Sequence, residues 1–274
     1  MQSVRGFPPE RRFLRANCPQ MGLRVPLRIL GSRVDPVDMD AATQRIAQLL
    51  AQQRFAQVVT FGSEMAMHAR SDPAYREVIN AADLVVPDTI GIVYAARLLG
   101  QPLRERVAGI ELIERACELC AREHMSIFLL GGAPGVATQA ADVMRARHAG
   151  LAIAGCHDGY FSQTEEPAVL ATIAQSGARV VLVALGFPRQ EVWARAHAAE
   201  LGPVLCIGVG GSLDVISGRL RRAPAVLRAL GLEWLYRLVR QPHRLGRQLA
   251  LPRFAALVGA QALHDRLAKG RPHG

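Results

Sequence analysis

Aromatic side chains are scarce: Phe, Trp and Tyr make up 5% of the 274 residues, while half the chain is apolar. With Ala, Leu, Val and Arg dominant, the composition suits Ala-rich helices alternating with Val-rich strands better than a β-sandwich. No stretch reaches the roughly 18–20 consecutive apolar residues that span a bilayer. The N-terminus is charged and proline-containing but lacks the apolar core of about 7–15 residues of a secretory signal. The cysteines, Cys18, Cys117, Cys120, Cys156 and Cys206, are an odd number, which fits a reducing cytosol. Cys117 and Cys120 form a CxxC inside a helical stretch (residues 110–123), with no second Cys or His pair at zinc spacing, and so read as packing residues. HxH and HExxH are also missing, and neither a metal nor another cofactor is expected. There is no G-x-S-x-G elbow, which argues against an α/β-hydrolase.

Acid is lacking in one region in particular. The formal charge is +10, and its excess gathers late. From Ser217 onward the bases are Arg219, Arg221, Arg222, Arg228, Arg237, Arg240, Arg244, Arg247, Arg253, Arg266, Lys269 and Arg271, against Glu233 and Asp265 alone. Such a segment calls for an anionic partner: nucleic acid, phosphate groups or an acidic membrane surface. Residues 1–24 carry Arg5, Arg11, Arg12, Arg15 and Arg24 and read as a mobile basic arm; Met21 offers an alternative start.

What is present is a βα alternation. Strands are expected at 27–30, 56–60, 84–87, 127–130, 152–156, 180–184 and 205–209. Helices are expected at 40–53, 64–70, 91–99 and 110–123, from 136 to 148, and near 165–175 and 189–200. Asp72-Pro73 is a capped helix start. The fold class is therefore α/β: a Rossmann-like, mostly parallel sheet with helices on both faces. After Gly210 the strand signals stop, and Pro224, Pro242 and Pro252 divide the remainder into short helices bearing Arg and Leu. The organisation predicted is a basic arm (1–24), an α/β catalytic domain (25–216) and a helical, basic, membrane-associating appendage (217–274).

Ligands of such sheets sit beyond the carboxyl ends of the strands. Those ends carry Thr60, Gly62 and Glu64; Asp88 and Thr89; the glycine loop Gly131-Gly132-Ala133-Pro134-Gly135; His157, Asp158 and Tyr160; Gly186, Arg189 and Gln190; and Gly210, Gly211 and Asp214. Glycines let backbone N–H groups approach a phosphate, and helix N-termini favour anions. The glycine loop is neither G-x-G-x-x-G nor a P-loop, and a tight βα turn explains it as well as phosphate contact does. Asp88 is the sharpest candidate for chemistry; a helix N-cap is its structural alternative. Asp158 and Asp214 share that alternative, and His157 reads as a turn residue.

The stretches V-V-T-F-G-S-E-M, V-V-P-D-T-I-G-I-V-Y-A-A-R, R-V-A-G-I-E-L, F-L-L-G-G-A-P-G, D-G-Y-F, A-L-G-F-P-R-Q-E, G-V-G-G-S-L-D-V-I-S-G, R-A-P and G-L-E-W-L-Y-R-L-V-R-Q-P-H-R-L-G-R run in order from Val58 to Arg247, within a likeness that extends over roughly residues 28–255. Together they resemble the WecG/TagA/CpsF family of bacterial glycosyltransferases, glycosyltransferase family 26. The resemblance implies transfer of a hexose or N-acetylhexosamine, with inversion and without a bound metal, from a UDP-sugar to an undecaprenyl-diphosphate-linked sugar in surface polysaccharide biosynthesis. It implies Asp88 as catalytic base and Thr60 as its partner hydroxyl at the sugar. It places Arg106, Tyr160, Gln190 and Asp214 at the nucleotide, with Gly131 and Gly132 as donor-binding backbone. Arg237, Arg244 and Arg247 would meet diphosphate and membrane from an appendage that closes over the site. Two positions depart from the family: Gly62 where Asn is usual, and Thr89 where Gly is usual. Both lie near the sugar and bear on donor identity.

The chemistry is consistent with this. Inverting transfer needs a base for the acceptor hydroxyl. Without a metal, cations must neutralise the departing diphosphate, and arginine's fork suits phosphate. The basic tail also predicts a cytoplasmic protein held peripherally on the inner face of the membrane. A chain cut near Ile216 is expected to be more soluble and nearly inactive. No nucleic-acid partner is expected, and self-association is left open. One rival reading is an NAD(P)-dependent oxidoreductase of Rossmann type, whose glycine fingerprint and acidic ribose partner are unconvincing here; a second, a nucleic-acid-binding module using the basic tail, would not explain the polar residues gathered at six strand ends.

Overall fold

The structure, a computed structural model, describes residues 25–224, 226–227, 233–240 and 250–269, without the side chains of Arg237, Arg240 and Lys269. The basic arm, Arg244 and Arg247 lie outside the described residues, and so does the side chain of Arg237.

Six strands form one parallel sheet in the order β4-β3-β8-β7-β5-β6. They are β3 (Ala56–Phe61), β4 (Leu84–Pro87), β5 (Ser126–Gly131), β6 (Ala152–His157), β7 (Val180–Ala184) and β8 (Leu205–Gly208). All but β6 are almost wholly buried, which is why they read as unbroken apolar runs rather than alternating ones. Successive side chains nevertheless serve opposite faces. Val58, Leu129, Leu182 and Ile207 pack with α1 (Met39–Ala51), α5 (Gly109–Arg122), α6 (Val136–Arg147) and α10 (Ser212–Ile216). Phe128, Val181 and Cys206 point the other way, to α7 (Glu166–Gln175), α8 (Arg189–Ala196) and α9 (Ala198–Leu201). Val59, Phe61 and Val85 share that second face and meet α2 (Ser63–Ser71), α3 (Pro73–Ala81) and α4 (Ile90–Leu98). Cys117 and Cys120 lie fully buried in α5 as free thiols, their ionisation pushed up by burial, to about 12 for Cys120. Both are packing residues.

Two elements differ from expectation. The first strand signal, β1 (Leu27–Ile29), does not join the large sheet; it turns back into β2 (Ser32–Val34) as an antiparallel hairpin. The hairpin leads into Asp35, whose backbone N–H donates to the Val85 carbonyl while its side-chain carboxylate accepts from the Val85 N–H at 2.8 Å. The outer edge of β4 is thereby occupied, removing an exposed edge that invites pairing with other chains. The second difference lies past Gly210. Beyond α11 (Glu233–Arg240), the last described element is α12 (Ala250–Lys269), a 20-residue helix rather than a short one. Pro252 does not break it, because it falls in the first turn, where N–H groups have no intrahelical partner.

α12 packs on α2 and α4. Phe254 and Val258 are buried in the same cluster as Phe61, Met65 and Ile92. Gln261 clasps the hairpin, accepting from the Leu30 N–H and donating to the Arg28 carbonyl, both at 2.9 Å. Removing everything past Ile216 would therefore uncover apolar side chains of α2 and α4, which works against the solubility expected of such a truncation.

Candidate functional site

β3 and β8 are neighbours, but their following segments diverge: β3 leads to α2 toward one edge, and β8 leads to α10, which packs on α6. A crevice opens at such a divergence. Two cavities lie along this sheet edge, and both include Gly186, Gly210 and Gly211 in their walls.

The first, of about 650 Å³, is floored by Thr60 and Asp88. Asp88 ends β4. It does not cap the adjacent helix α4; its Oδ1 accepts from the Gly109 N–H at 2.7 Å, at the start of α5. Its own N–H is tied to the Phe61 carbonyl. The carboxylate is thus anchored through one oxygen and a helix terminus, and is half-buried in the cavity wall. Thr60 is buried, and its hydroxyl donates to the Gly208 carbonyl at 2.7 Å. Its proton is committed to the sheet, so toward a ligand its oxygen can only accept.

Gly62, Ser63 and Thr89 lie beside them. A Cβ on Gly62 would come 2.9 Å from the Thr89 methyl. Thr89 Oγ1 accepts from the Ser63 N–H at 3.2 Å and lies 3.3 Å from its hydroxyl. The two departures noted in the sequence are therefore in contact: Thr89 fills the room that a side chain at position 62 would need.

Cations stand over this floor. Arg106 lines the cavity and donates to Glu233 of α11 at 3.0 Å. Arg222 lines it too and donates to Glu111 of α5 at 2.6 Å. Much of the remaining wall is apolar and comes from α4 and α12, including Tyr94, Leu98, Phe254 and Val258, with Trp234 of α11, while Glu64, Gln190 and Ser212 add polar groups.

The second cavity, of about 920 Å³, is more polar and open; Tyr160, Arg189, Asp214 and Arg219 line it, with Gly132. Arg189 stacks 4.7 Å from the Phe161 ring centroid and donates to the Gly159 carbonyl. Asp158 accepts from the Tyr160 N–H at 2.8 Å, fixing the turn that presents Tyr160. Gly131 has a left-handed backbone (φ +124), and a Cβ there would run into the Ala184 carbonyl at 2.4 Å. Close strand packing is thus reason enough for that glycine, while Gly132 faces the cavity. His157, its Nδ1 2.8 Å from the Asp158 carbonyl and its ring edge-on to Phe161, lines neither cavity.

The expected site residues therefore separate into two groups. Thr60, Asp88, Arg106 and Gln190 share the first cavity; Tyr160, Asp214 and Gly132 share the second. Gln190 is buried, its carbonyl oxygen accepting from the Gly210 N–H at 3.0 Å and its amide donating to Glu191 at 2.6 Å. Sequence reasoning gave no site role to Arg222, Arg189, Arg219 or Glu191. For Arg189 and Glu191 a signal existed: both flank Gln190 just past a strand end. Arg222 was one base among many in the tail. Among the described residues, no group of three or more His, Cys, Asp or Glu is placed to hold a metal ion, and no helix is long and apolar enough to cross a membrane.

Residues 27–268 match the profile described as "Glycosyl transferase WecG/TagA/CpsF family". A relative from Bacillus spizizenii (strain ATCC 23059 / NRRL B-14472 / W23), named N-acetylglucosaminyldiphosphoundecaprenol N-acetyl-beta-D-mannosaminyltransferase, is 35% identical over 224 residues, 82% of this chain and 85% of its own. Proteins of the same name from Staphylococcus aureus strains MW2 and NCTC 8325 / PS 47 are 34% identical over 228 residues, 82% of this chain and 89% of theirs.

Proposed function

The chain belongs to the WecG/TagA/CpsF family of glycosyltransferases, and from that premise we propose that it moves a hexose or N-acetylhexosamine from a UDP-sugar to a sugar carried on undecaprenyl diphosphate. The observation that carries this reading is the shared rim. Gly186, Gly210 and Gly211 join a cavity holding a carboxylate and two arginines to a second, polar cavity. A nucleotide diphosphate sugar has the same three parts in the same order. The nucleoside belongs in the second cavity, against Tyr160 and Asp214. The diphosphate crosses the glycine rim, where backbone N–H groups can approach it. The sugar lies over Thr60 and Asp88.

In this arrangement Asp88 takes the proton of the acceptor hydroxyl as that oxygen attacks the anomeric carbon. The bond to the UDP oxygen breaks on the opposite face, and the configuration inverts. The Gly109 N–H holds the carboxylate in orientation for this. Arg106 and Arg222 stand where the diphosphate charge grows and stabilise it by charge-assisted hydrogen bonds. To do so they exchange Glu233 and Glu111 for phosphate oxygens. Arg237, Arg244 and Arg247 are assigned to the lipid diphosphate and to an anionic membrane surface. Leu235 and Val239 are exposed on α11 and add apolar contact, so attachment is peripheral and partly released by salt.

The test is to incubate the full chain with a synthetic polyprenyl-diphosphate-linked N-acetylglucosamine and a panel of UDP-sugars, then weigh the lipid product. Gain of one hexose or N-acetylhexosamine supports the reading. No product with any donor, together with no binding of UDP, would refute it.

A further inference from the structure

One buried carboxyl group takes no part in the chemistry above. Glu191, in the first turn of α8, is 1% exposed, and among the described residues no cation pairs with it. Burying a carboxyl group without a cation is unfavourable, and burial pushes its ionisation up to about 7. An apolar side chain would pack this spot at lower cost, so its polar connections must explain it.

Those connections run in one direction. Tyr75 of α3, itself 2% exposed, donates to Oε2 at 3.1 Å. The Gln190 amide donates to Oε1 at 2.6 Å. The other end of that amide, its oxygen, accepts from the N–H of Gly210 at 3.0 Å. The Glu191 backbone carbonyl is fixed in turn by the Gln57 amide at 2.9 Å. A glutamine amide has a donor end and an acceptor end, and only one orientation suits both neighbours. A group at Glu191 that accepts forces the NH2 inward, and so forces the oxygen toward the Gly210 N–H. Were the amide reversed, two donors would face each other at Gly210. Strand β8 is shaped to admit this relay: a Cβ on Gly208 would sit 2.9 Å from Gln190 Nε2 and 3.1 Å from Glu191 Oε1. The Gly208 carbonyl is also the acceptor for Thr60.

We propose that Glu191 is a positioning residue: held by Tyr75, it orients the Gln190 amide, which fixes the Gly210 rim shared by both cavities in the shape that receives the donor's diphosphate. The inference rests on the proposed function, because the rim is assigned to the diphosphate there.

Binding of UDP to the full chain, measured by calorimetry, separates the possibilities. Glu191→Leu is expected to weaken UDP about tenfold to a hundredfold, the usual scale for losing hydrogen bonds to a charged group. Because Glu191 acts through Gln190, the double variant Gln190→Leu/Glu191→Leu should bind UDP no more weakly than Gln190→Leu alone. Glu191→Gln can still accept from Gln190 and donate to Tyr75, so it should restore affinity to within a few-fold of the parent. It also keeps the test open if Glu191→Leu fails to fold. Additive losses in the double variant, or Glu191→Gln as damaging as Glu191→Leu, would overturn the positioning role. If the parent chain binds UDP and both Glu191 variants match it, the relay is wrong while the function stands. If the parent itself does not bind UDP, the function falls first and the relay with it.

Discussion

The two cavities lie on one sheet edge and share a glycine rim, yet they are built from different material. The cavity over Asp88 is roofed by segments far apart in sequence, with α4 and α5 on one side and α11 and α12 on the other. Four of its polar groups are paired within the protein: Asp88 with Gly109, Thr60 with Gly208, Arg106 with Glu233 and Arg222 with Glu111. The cavity at Tyr160 is formed by βα loops and the segment after α10, and its Tyr160 is 76% exposed. The first is the less open of the two. Electrostatic interactions are stronger where there is less water, so in the proposed function bond breaking belongs to the less open cavity and recognition to the more open one.

That division can be broken by mutation, and the sharpest cut is at Asp88. Asp88→Asn keeps the shape and removes the base; kcat should fall about 10²–10⁴-fold while UDP affinity stays within a few-fold of the parent. Equal turnover in the variant would remove the base from Asp88. Next come the cations of the less open cavity. Losing both in Arg106→Ala/Arg222→Ala should lower kcat at least about a hundredfold, the scale of losing one donor to a developing anion, with some loss of melting temperature because Glu233 and Glu111 are left without their cations. In the open cavity the effect should move to binding. Tyr160→Ala and Asp214→Ala are each expected to raise the donor KM about tenfold, the scale of one or two hydrogen bonds, and to change kcat little. If they lower kcat instead, the two cavities do not divide the work in this way. The smallest effect belongs to the wall beside the sugar. Gly62→Asn should reduce activity several-fold because its Cβ meets the Thr89 methyl. Gly62→Asn/Thr89→Gly removes that contact, and should regain activity with a changed order of preference among UDP-sugars. An unchanged order would take this pair out of donor choice.

How far the sequence was legible follows from these same elements. The parallel sheet was readable because strands buried on both faces leave apolar runs such as Val180–Ala184. The hairpin strand Ser32–Val34 was not, since three residues centred on an arginine carry no period. The length of α12 was hidden by Pro252, which looks like a breaker unless the helix start is known. Asp88 stood out because a carboxylate follows an apolar strand directly, and the motifs around it resemble a known family. Its partner could not be read: the alternative weighed was a cap on the following helix, whereas the carboxylate meets α5, 21 residues onward. Arg222 was invisible among the bases of the tail, because only its approach to Glu111 sets it apart. Glu191 looked like an ordinary charged residue in a helix, and only the packing of Tyr75 and Gln190 around it reveals a buried acceptor.

One nucleotide sugar bridging both cavities is the claim on which the rest depends, and a crystal structure of the full chain soaked with UDP tests it most directly. The account predicts the uracil and ribose at Tyr160 and Asp214, the diphosphate along Gly210 and Gly211, and the terminal phosphate turned toward Asp88, within reach of Arg106 or Arg222. A UDP lying wholly inside the Asp88 cavity, or bound with its phosphates pointing away from it, would contradict the account.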